Sequence, residues 1–435
     1  MNHDPSTRSR PRRVLVANGT YESAYGIVRS LVESGAQVHV AHSERAQDVA
    51  VSRLIAGAHP VPPPRRAYDH LTAEGSAVLP DPFATAVLGL ARRIGADVVI
   101  PTDDDEVVAL ASHREEFTDA GVLCTVPAMA TARTMMDKYL AVTAAAGAGI
   151  PTPRTERIDD LAALRTFAAD QGYPFVFKKR VSSGSKGVRV IRSAAQLDRA
   201  YADFAGSPAM AQEYVPGERE PSINAIRDAG GGFRLVLSLR KQRYLNTSVS
   251  TCIRIVPELP ETAAALRFLD AVGAVGFAAI QVRENPLTGE HLFIESNTRW
   301  GANSRMLLPL LRRQGYRAIE HFVAAWEGEG RYEGPAHRPE SGAAVSPVED
   351  LLAVESFARH RRTVGLRGGR TIGWGTLARA YWESYGRAKP LVTDYLFASA
   401  LTDPRAAAST LRRAFRERRR EDLSFLPLGE LTARP

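Results

Sequence analysis

The 435-residue chain holds only two cysteines, Cys124 and Cys252, and neither stands in a Cys-x-x-Cys pair or beside a histidine at ligand spacing. That excludes a disulfide framework and a zinc ribbon, and both thiols read as small buried side chains. No apolar run reaches the roughly 18 residues that cross a bilayer. The opening MNHDPSTRSRPRR leads into VLVANGTYES, not into the apolar core of a signal segment. The expectation is a cytoplasmic protein with no membrane partner. The histidines form no H-E-x-x-H and no G-x-S-x-G accompanies a triad, so hydrolase chemistry has no support. Residues 17–26 lack the G-x-G-x-x-G spacing of a dinucleotide site, and no Walker A loop occurs. Lysine is scarce as well: of 56 basic residues six are lysine, namely Lys138, Lys178, Lys179, Lys186, Lys241 and Lys389. Five of them fall between residues 138 and 241. In an arginine-rich chain a retained lysine points to a need for a compact, flexible point charge such as a phosphate contact.

What is present is an ordinary globular composition, 44% hydrophobic and 24% charged, long enough for about two to four structural units. A net charge of +8 permits contact with nucleic acid or anionic lipid, but a solvated basic face is the preferred reading and no nucleic-acid partner is expected. Between residues 14 and 126 short β-rich runs (VLVAN, QVHVAH, DVVIPT, VLCTVP) alternate with helical stretches at 23–34, 83–94 and 105–117. That rhythm predicts a parallel sheet with crossover helices. Asp103, Asp104, Asp105 and Glu106 follow one of these strands, either at a ligand-binding sheet end or as the acidic first turn of a helix.

The most informative stretch is FAAIQVRENPLTGEHLFIESNTRWGANSR. Asn-Pro-Leu-Thr-Gly-Glu is turn chemistry, so the flanking runs read as a hairpin. Strand alternation puts Glu295 and Asn297 on one face, with Arg299 just beyond, and Leu292 and Ile294 on the other, in phase with Ile280 and Val282. A loop symmetric about Thr288 sets Gln281 directly opposite Glu295. Three oxygen donors, Gln281, Glu295 and Asn297, then converge. Such a set suits magnesium, which binds through one or two carboxylates and leaves a polyphosphate to supply the rest; the plainer alternative is a surface hairpin with a polar outer face.

Upstream, PFVFKKRVSSGSKGVRVI reads as strand, small-residue loop, strand. Its loop, with Ser183, Gly184, Ser185 and Gly187, can bring backbone N–H groups and hydroxyls against phosphate oxygens. AMAQEYVPGEREPSINAI follows, a short strand running through Gln212, Glu213, Tyr214 and Val215 into a Pro-Gly turn. It can offer backbone groups to a purine edge, with Glu220 as an acceptor for ribose hydroxyls.

The order of these parts resembles the ATP-grasp superfamily, in particular the branch with carbamoyl-phosphate synthase large subunits, biotin carboxylases and carboxylate-amine ligases. The resemblance covers roughly residues 13–330. It implies that Lys138, in MMDKYL, and Lys178, in PFVFKK, contact nucleotide phosphates, that SSGSKG is the mobile phosphate-covering loop, and that QEYVPGERE reads adenine and ribose. It further implies that Gln281, Glu295 and Asn297 hold magnesium or manganese and that Arg299 lies near the transferred phosphoryl group. Lys179 stands where many members have proline, which leaves open which of Lys178 and Lys179 meets the phosphate. Where a biotin carboxylase has a catalytic glutamate this chain has Asn303, which cannot act as a general base.

The fold class expected is α/β and α+β: an ATP-grasp fold with an N-terminal Rossmann-like pre-ATP-grasp domain (13–126), an ATP-grasp domain (127–330, divided at 211/212 into a small lid-bearing and a metal-binding part) and a mainly helical C-terminal extension (336–435). That extension, after the linker-like EGEGRYEGP, is read as a lid or dimer surface, with helices near 351–357, 377–385 and 406–420. The expected function is ATP-dependent activation of a small carboxylate as an acyl phosphate for attack by an amine. Arg299 offsets charge in the transferring group and Arg305 binds the carboxylate, against the blander reading of a surface arginine. The alternatives are an enzyme that activates bicarbonate or carbamate, and a non-catalytic ATP-binding regulatory protein.

Overall fold

The computed structural model describes residues 11–345, apart from 18–21, 44–48, 68–70, 72–79, 183–186, 218, 246–248 and 329–330, and beyond these residues 391–392, 403–405 and 408. The chain opens with five parallel strands, β1 (Arg13–Val16), β2 (Gln37–His42), β3 (Gly57–Pro60), β4 (Val98–Ile100) and β5 (Leu123–Cys124), in the order β3-β2-β1-β4-β5. On either side of the switch, Val14–Val16 of β1 and Val98–Ile100 of β4 are valine, leucine and isoleucine buried on both faces, as a helix-covered parallel sheet requires. The helix Pro82–Ile94 shows how local chemistry sets the crossovers. Asp81 caps its start by accepting from Phe83 N at 2.9 Å, proline occupies its first turn, and Gly95 ends it with φ 62°. Strand β3, Gly-Ala-His-Pro, was not expected; a glycine and a proline in four edge residues carry no strand signal, and only pairing with β2 makes it one.

The order of strands reverses between β1 and β4, so a crevice opens at their carboxyl ends. The acidic run lies there as a helix start. Asp103 and Glu106 form a capping box on the helix Asp104–Ala111, and the buried Glu106 carboxylate accepts from the N–H groups of Thr102 (2.7 Å) and Asp103 (3.0 Å).

A second, antiparallel sheet is built from β6 (Thr155–Ile158), β7 (Phe175–Lys179), β8 (Val188–Ile191) and β9 (Ala209–Glu213), in the order β6-β9-β7-β8. One face buries Phe175 and Phe177 with Phe167 and Phe204 against the helices Leu161–Gln171 and Leu197–Asp203. Strand alternation turns Lys178 to the other face.

The third sheet holds β10 (Pro221–Arg227), β11 (Phe233–Leu245), β12 (Val249–Val256), β13 (Gly276–Glu284), β14 (His291–Asn297), β15 (Gly342–Val345) and β16 (Leu391–Val392), in the order β14-β13-β10-β11-β12-β15-β16. One face, with Ile223, Ala278, Ile280, Val282 and Phe293, packs among residues of the helices Lys138–Gly147 and Thr262–Ala271. On the other, Ile226, Leu235, Leu237 and Phe277 pack with Trp300 beneath the helices Ser304–Arg313 and Ala318–Glu327. Toward the hairpin end that second face turns polar. The strands β15 and β16 come from beyond residue 336 and close the open edge of β12, since unpaired strand edges attract foreign strands. The helices expected at 351–357, 377–385 and 406–420 lie outside the described residues but for Ala408.

Candidate nucleotide and metal site

At the end of the hairpin β13–β14 away from its turn the pairing is the expected one: Gln281 pairs with Glu295, Ile280 with Ser296 and Ala279 with Asn297. One feature differs. A bulge at Ile294 shifts the ladder so that Val282 pairs with Phe293, and Phe293, not Ile294, is fully buried with Ile280 and Val282. In a regular strand Phe293 and Glu295 point the same way; the extra residue puts Phe293 in the core while Glu295 and Asn297 keep the polar face. That face continues onto β10, where Ser222 pairs with Gln281 and Asn224 with Ala279, and Asn224 Nδ2 donates to Ser222 Oγ at 2.9 Å.

Facing this surface is Lys178, which is 5% exposed. Burial, then the neighbouring Lys138 ammonium, lowers its pKa to about 7, while Glu295 and Glu220 act in the opposite sense and Arg283 with Lys138. Lys178, Lys138 and Glu295 therefore share one electrostatic neighbourhood. Lys138 is held by its own capping residue. Asp137 accepts from Tyr139 N at 2.9 Å and is gripped by Arg180 through Nε at 3.0 Å and Nη2 at 2.5 Å, while Lys138 N donates to Arg180 O at 2.9 Å. The Lys138 ammonium donates to Ser182 O at 2.5 Å, at the mouth of the serine-glycine loop. Two buried like charges repel, and an anion between them converts the cost into binding. At the far end of the loop a Cβ on Gly187 would lie 2.7 Å from Ser182 Oγ, so the return of the loop requires glycine. Ser183, Gly184 and Ser185 lie outside the described residues.

Lys179 points away, its ammonium over the Phe204 ring at 5.4 Å, so of the two lysines Lys178 is the one turned toward Glu295. Other expected residues have partners of their own. Glu220 is in an ion pair with Arg283. The Glu213 N–H donates to Arg154 O (2.8 Å) and its carboxylate accepts from Arg154 N (3.2 Å), while Val215 is buried and Tyr214 half-buried beside it. Arg299 makes a bidentate pair with Asp104, Nε to Oδ1 at 2.8 Å and Nη2 to Oδ2 at 2.9 Å. Arg305 is no surface arginine: it is 3% exposed and donates from Nη2 to Ser250 O at 2.9 Å, inside the molecule.

Among the described residues no three His, Cys, Asp or Glu side chains gather as a metal cluster. The oxygen set is one carboxylate and neutral amides, and it fits a hard divalent ion that draws its remaining ligands from phosphate. Residues 143–294 match the family model described as the ATP-grasp domain. Those residues are an ATP-grasp domain.

The ATP-grasp match takes in Lys178, Glu213, Glu220 and Gln281 and stops one residue before Glu295. The chain is similar to rat mitochondrial pyruvate carboxylase, 25% identical over 315 residues, which are 66% of this chain and 25% of that protein. It is also similar to the formate-dependent phosphoribosylglycinamide formyltransferase of Synechococcus sp. (strain CC9311), 30% identical over 197 residues, 43% of this chain and 50% of the other. It thus spans a quarter to a half of the length of these relatives. A biotin carboxylase from Campylobacter jejuni in complex with βγ-ATP has the same fold over 75% of this chain and 72% of its own, with a TM-score of 0.58 and 19% identity.

Three residues of the ATP-grasp cleft received no role from the sequence. Arg283 follows Gln281 by two and so shares its face, a signal strand alternation offers. Lys241 stands out by the scarcity of lysine, and its ammonium donates to Gln281 Oε1 at 3.3 Å. Asp104 was one of four acids in a row, with nothing local to single it out.

Proposed function

We propose that this protein is an ATP-dependent ligase that joins a small carboxylate to an amine. The observation that carries the reading is the meeting of Gln281 and Glu295, paired across the metal hairpin, with the buried Lys178 and its neighbour Lys138. A carboxylate does not condense with an amine at neutral pH because oxide is a poor leaving group. In the proposed reaction a carboxylate oxygen attacks the γ-phosphorus of ATP, the bond to the β–γ bridging oxygen breaks, and ADP departs with its electron pair. The amine nitrogen then attacks the acyl carbon of the acyl phosphate, phosphate leaves with the C–O electrons, and the nitrogen releases its proton to solvent.

Lys138 and Lys178, with Ser183, Gly184, Ser185 and Gly187, are assigned to the nucleotide phosphates, and Glu213, Tyr214, Val215 and Glu220 to the adenosine end. Gln281, Glu295 and Asn297 would hold magnesium or manganese, which when bound neutralises phosphate charge and orients the phosphoryl group. Arg299, fixed by Asp104, ties this strand to the crevice of the parallel sheet, where the acid and amine would enter. Arg305 supports that wall from inside. On this reading residues 13–126 form the pre-ATP-grasp unit, 127–211 and 212–330 the two parts of the grasp, and the region after 336 completes the large sheet and offers a surface for a homodimer in the cytoplasm. The work of the site is positional and electrostatic, as in other phosphoryl transfers.

The test is a paired screen of amino acids and other small carboxylates for ADP release, with mass detection of the joined product. Glu295→Ala and Asn297→Ala should abolish substrate-dependent ADP formation, a loss of roughly 100-fold or more, with the fold intact. Near-normal turnover in either variant refutes the metal assignment. Bicarbonate alone releasing ADP would favour the carboxylase-type alternative, which the names of the relatives support; ATP binding without turnover across the panel would favour a regulatory protein.

A further inference from the structure

The back of the large sheet carries cationic groups that the reaction above does not use. Arg240 on β11 stands directly opposite Arg254 on β12, and two residues along each strand Ser238 stands opposite Val256. On its other side Ser238 pairs with Ile223, which belongs to the face that packs among the helices Lys138–Gly147 and Thr262–Ala271. Strand alternation therefore puts both arginines on that face, away from Gln281 and Glu295. Like charges directly opposite in an antiparallel pair destabilise it, since their Cβ atoms are only about 5 Å apart. Glu284 answers part of the charge: it accepts from Arg240 Nη2 at 3.4 Å, but also from Arg219 Nη1 at 3.0 Å. Among the described residues the Arg254 side chain makes no ion pair and no hydrogen bond, and the Nε–H groups of both Arg240 and Arg254 are buried without an acceptor. A buried donor left unpaired is costly, and an oxygen anion over the two guanidiniums satisfies the donors and offsets the repulsion at once.

The pair next along the same face, Ser238 and Val256, lines a hollow of about 180 Å³ whose walls include Val236, Pro257 and Pro339. That is below the roughly 300 to 1,000 Å³ of sites for drug-sized ligands, so the occupant is small. Charge decides its class. The exposed Glu258 and Arg338 of the wall cancel in an ion pair, and Glu284 offsets Arg240, which leaves Arg254 without a carboxylate. A single negative charge on two coplanar oxygens, the shape that the planar fork of arginine matches, is a carboxylate. We infer that the back of the large sheet binds a small monocarboxylate, its oxygens on Arg254 and Arg240 and its apolar body in the hollow beside Val256. This site lies on the face of the sheet opposite the nucleotide cleft and does not rest on the ligase reading.

The experiment is ligand-observed NMR titration of the full chain with isovalerate, a branched monocarboxylate. The parent is expected to bind it with a Kd of about 1 mM or tighter. Arg254→Ala should weaken binding by about tenfold or more, the weight of one charge-assisted hydrogen bond, and Val256→Phe, which fills the hollow and keeps the arginines, by as much. Arg254→Lys should recover only part of the loss, because an ammonium lacks the planar fork. Isovaleramide, the same shape without the charge, should bind at least about tenfold more weakly than isovalerate. Arg254→Gln serves if the alanine variant does not fold. Undiminished isovalerate binding in a folded Arg254→Ala or Val256→Phe protein lies elsewhere, the crevice proposed for the acid included, and overturns the assignment. So does a parent that takes up no isovalerate, or that binds isovaleramide equally well. Inorganic phosphate binding the arginines more tightly than isovalerate overturns the carboxylate class. None of these results touches the ligase reading, which ADP release tests separately.

Discussion

Arg299 and Asp104, 195 residues apart in sequence, face each other in a bidentate ion pair that fastens the segment following β14 to the first turn of the helix Asp104–Ala111. Both side chains are largely buried, 10% and 18% exposed, so removing one partner strands the other. Asp104→Asn and Arg299→Lys should each lower stability by about 1 to 3 kcal/mol and reduce turnover, with a non-additive double mutant. Denaturant unfolding of the two singles and the double checks this; additive losses would show that the residues do not act as a pair.

On the proposed reading Lys178 gives nucleotide binding a pH dependence. Its ammonium form, the one that attracts phosphate, dominates below about pH 7, because burial and Lys138 lower its pKa from 10.5. Mg·ATP should therefore bind more tightly at pH 6 than at pH 8.5, with uptake of a proton on binding at the higher pH. Between about 7 and 10.5 the unfolded chain holds more protons at this site than the folded one, so the contribution of Lys178 to stability rises with pH across that window. Lys178→Arg stays charged, and its binding curve should lose the slope near pH 7. A parent whose nucleotide affinity does not change from pH 6 to 8.5 would contradict the role given to Lys178.

The bulge at Ile294 reverses which residue of β14 matters to the core. Phe293→Ala should cost about 3 to 5 kcal/mol, as the loss of a buried aromatic does, whereas Ile294→Ala should cost about 1 kcal/mol or less. Strict strand alternation reverses that order, so thermal melts of the two variants decide between the patterns.

Asp103 is a local liability. Burial and the adjacent Asp104 carboxylate raise its pKa to about 6, so its ionisation weakens the fold as pH rises from about 4 to 6. Asp103→Asn keeps a helix-capping oxygen and removes the charge, and should stabilise the protein by about 1 kcal/mol above pH 6 with no gain below pH 4. Melting temperatures at both ends of that range measure it; an equal effect at both would rule out the titration as its cause.

What could be read from the residues was what short-range physics determines. Turn chemistry around Thr288 announced the hairpin, and the pairing of Gln281 with Glu295 expected of it is present, although the pairs nearest the turn, Glu284 with His291 and Arg283 with Leu292, are centred half a residue earlier and the bulge at Ile294 brings Gln281 opposite Glu295. Apolar runs separated by helical periods announced the parallel sheet of β1, β2, β4 and β5. The bulge at Ile294 was hidden because both Phe293 and Ile294 are apolar and either satisfies a core position; packing against Phe268, whose ring centroid lies 6.0 Å from that of Phe293, makes the choice. Arg299 with Asp104, Arg305 with Ser250 and Lys241 with Gln281 are contacts between distant segments, fixed by how the sheets meet and not by any residue's neighbours in the chain.

The completion of the large sheet by Gly342–Val345 has a practical meaning for anyone trimming the protein. A fragment ending with the helix at Glu327 would contain nearly all the proposed ligand-binding residues, yet would leave the backbone amides and carbonyls of Cys252–Ile255 open along one side. Such a shortened chain would be sticky, prone to self-association through β12, and a poor vehicle for measuring what the grasp alone can bind.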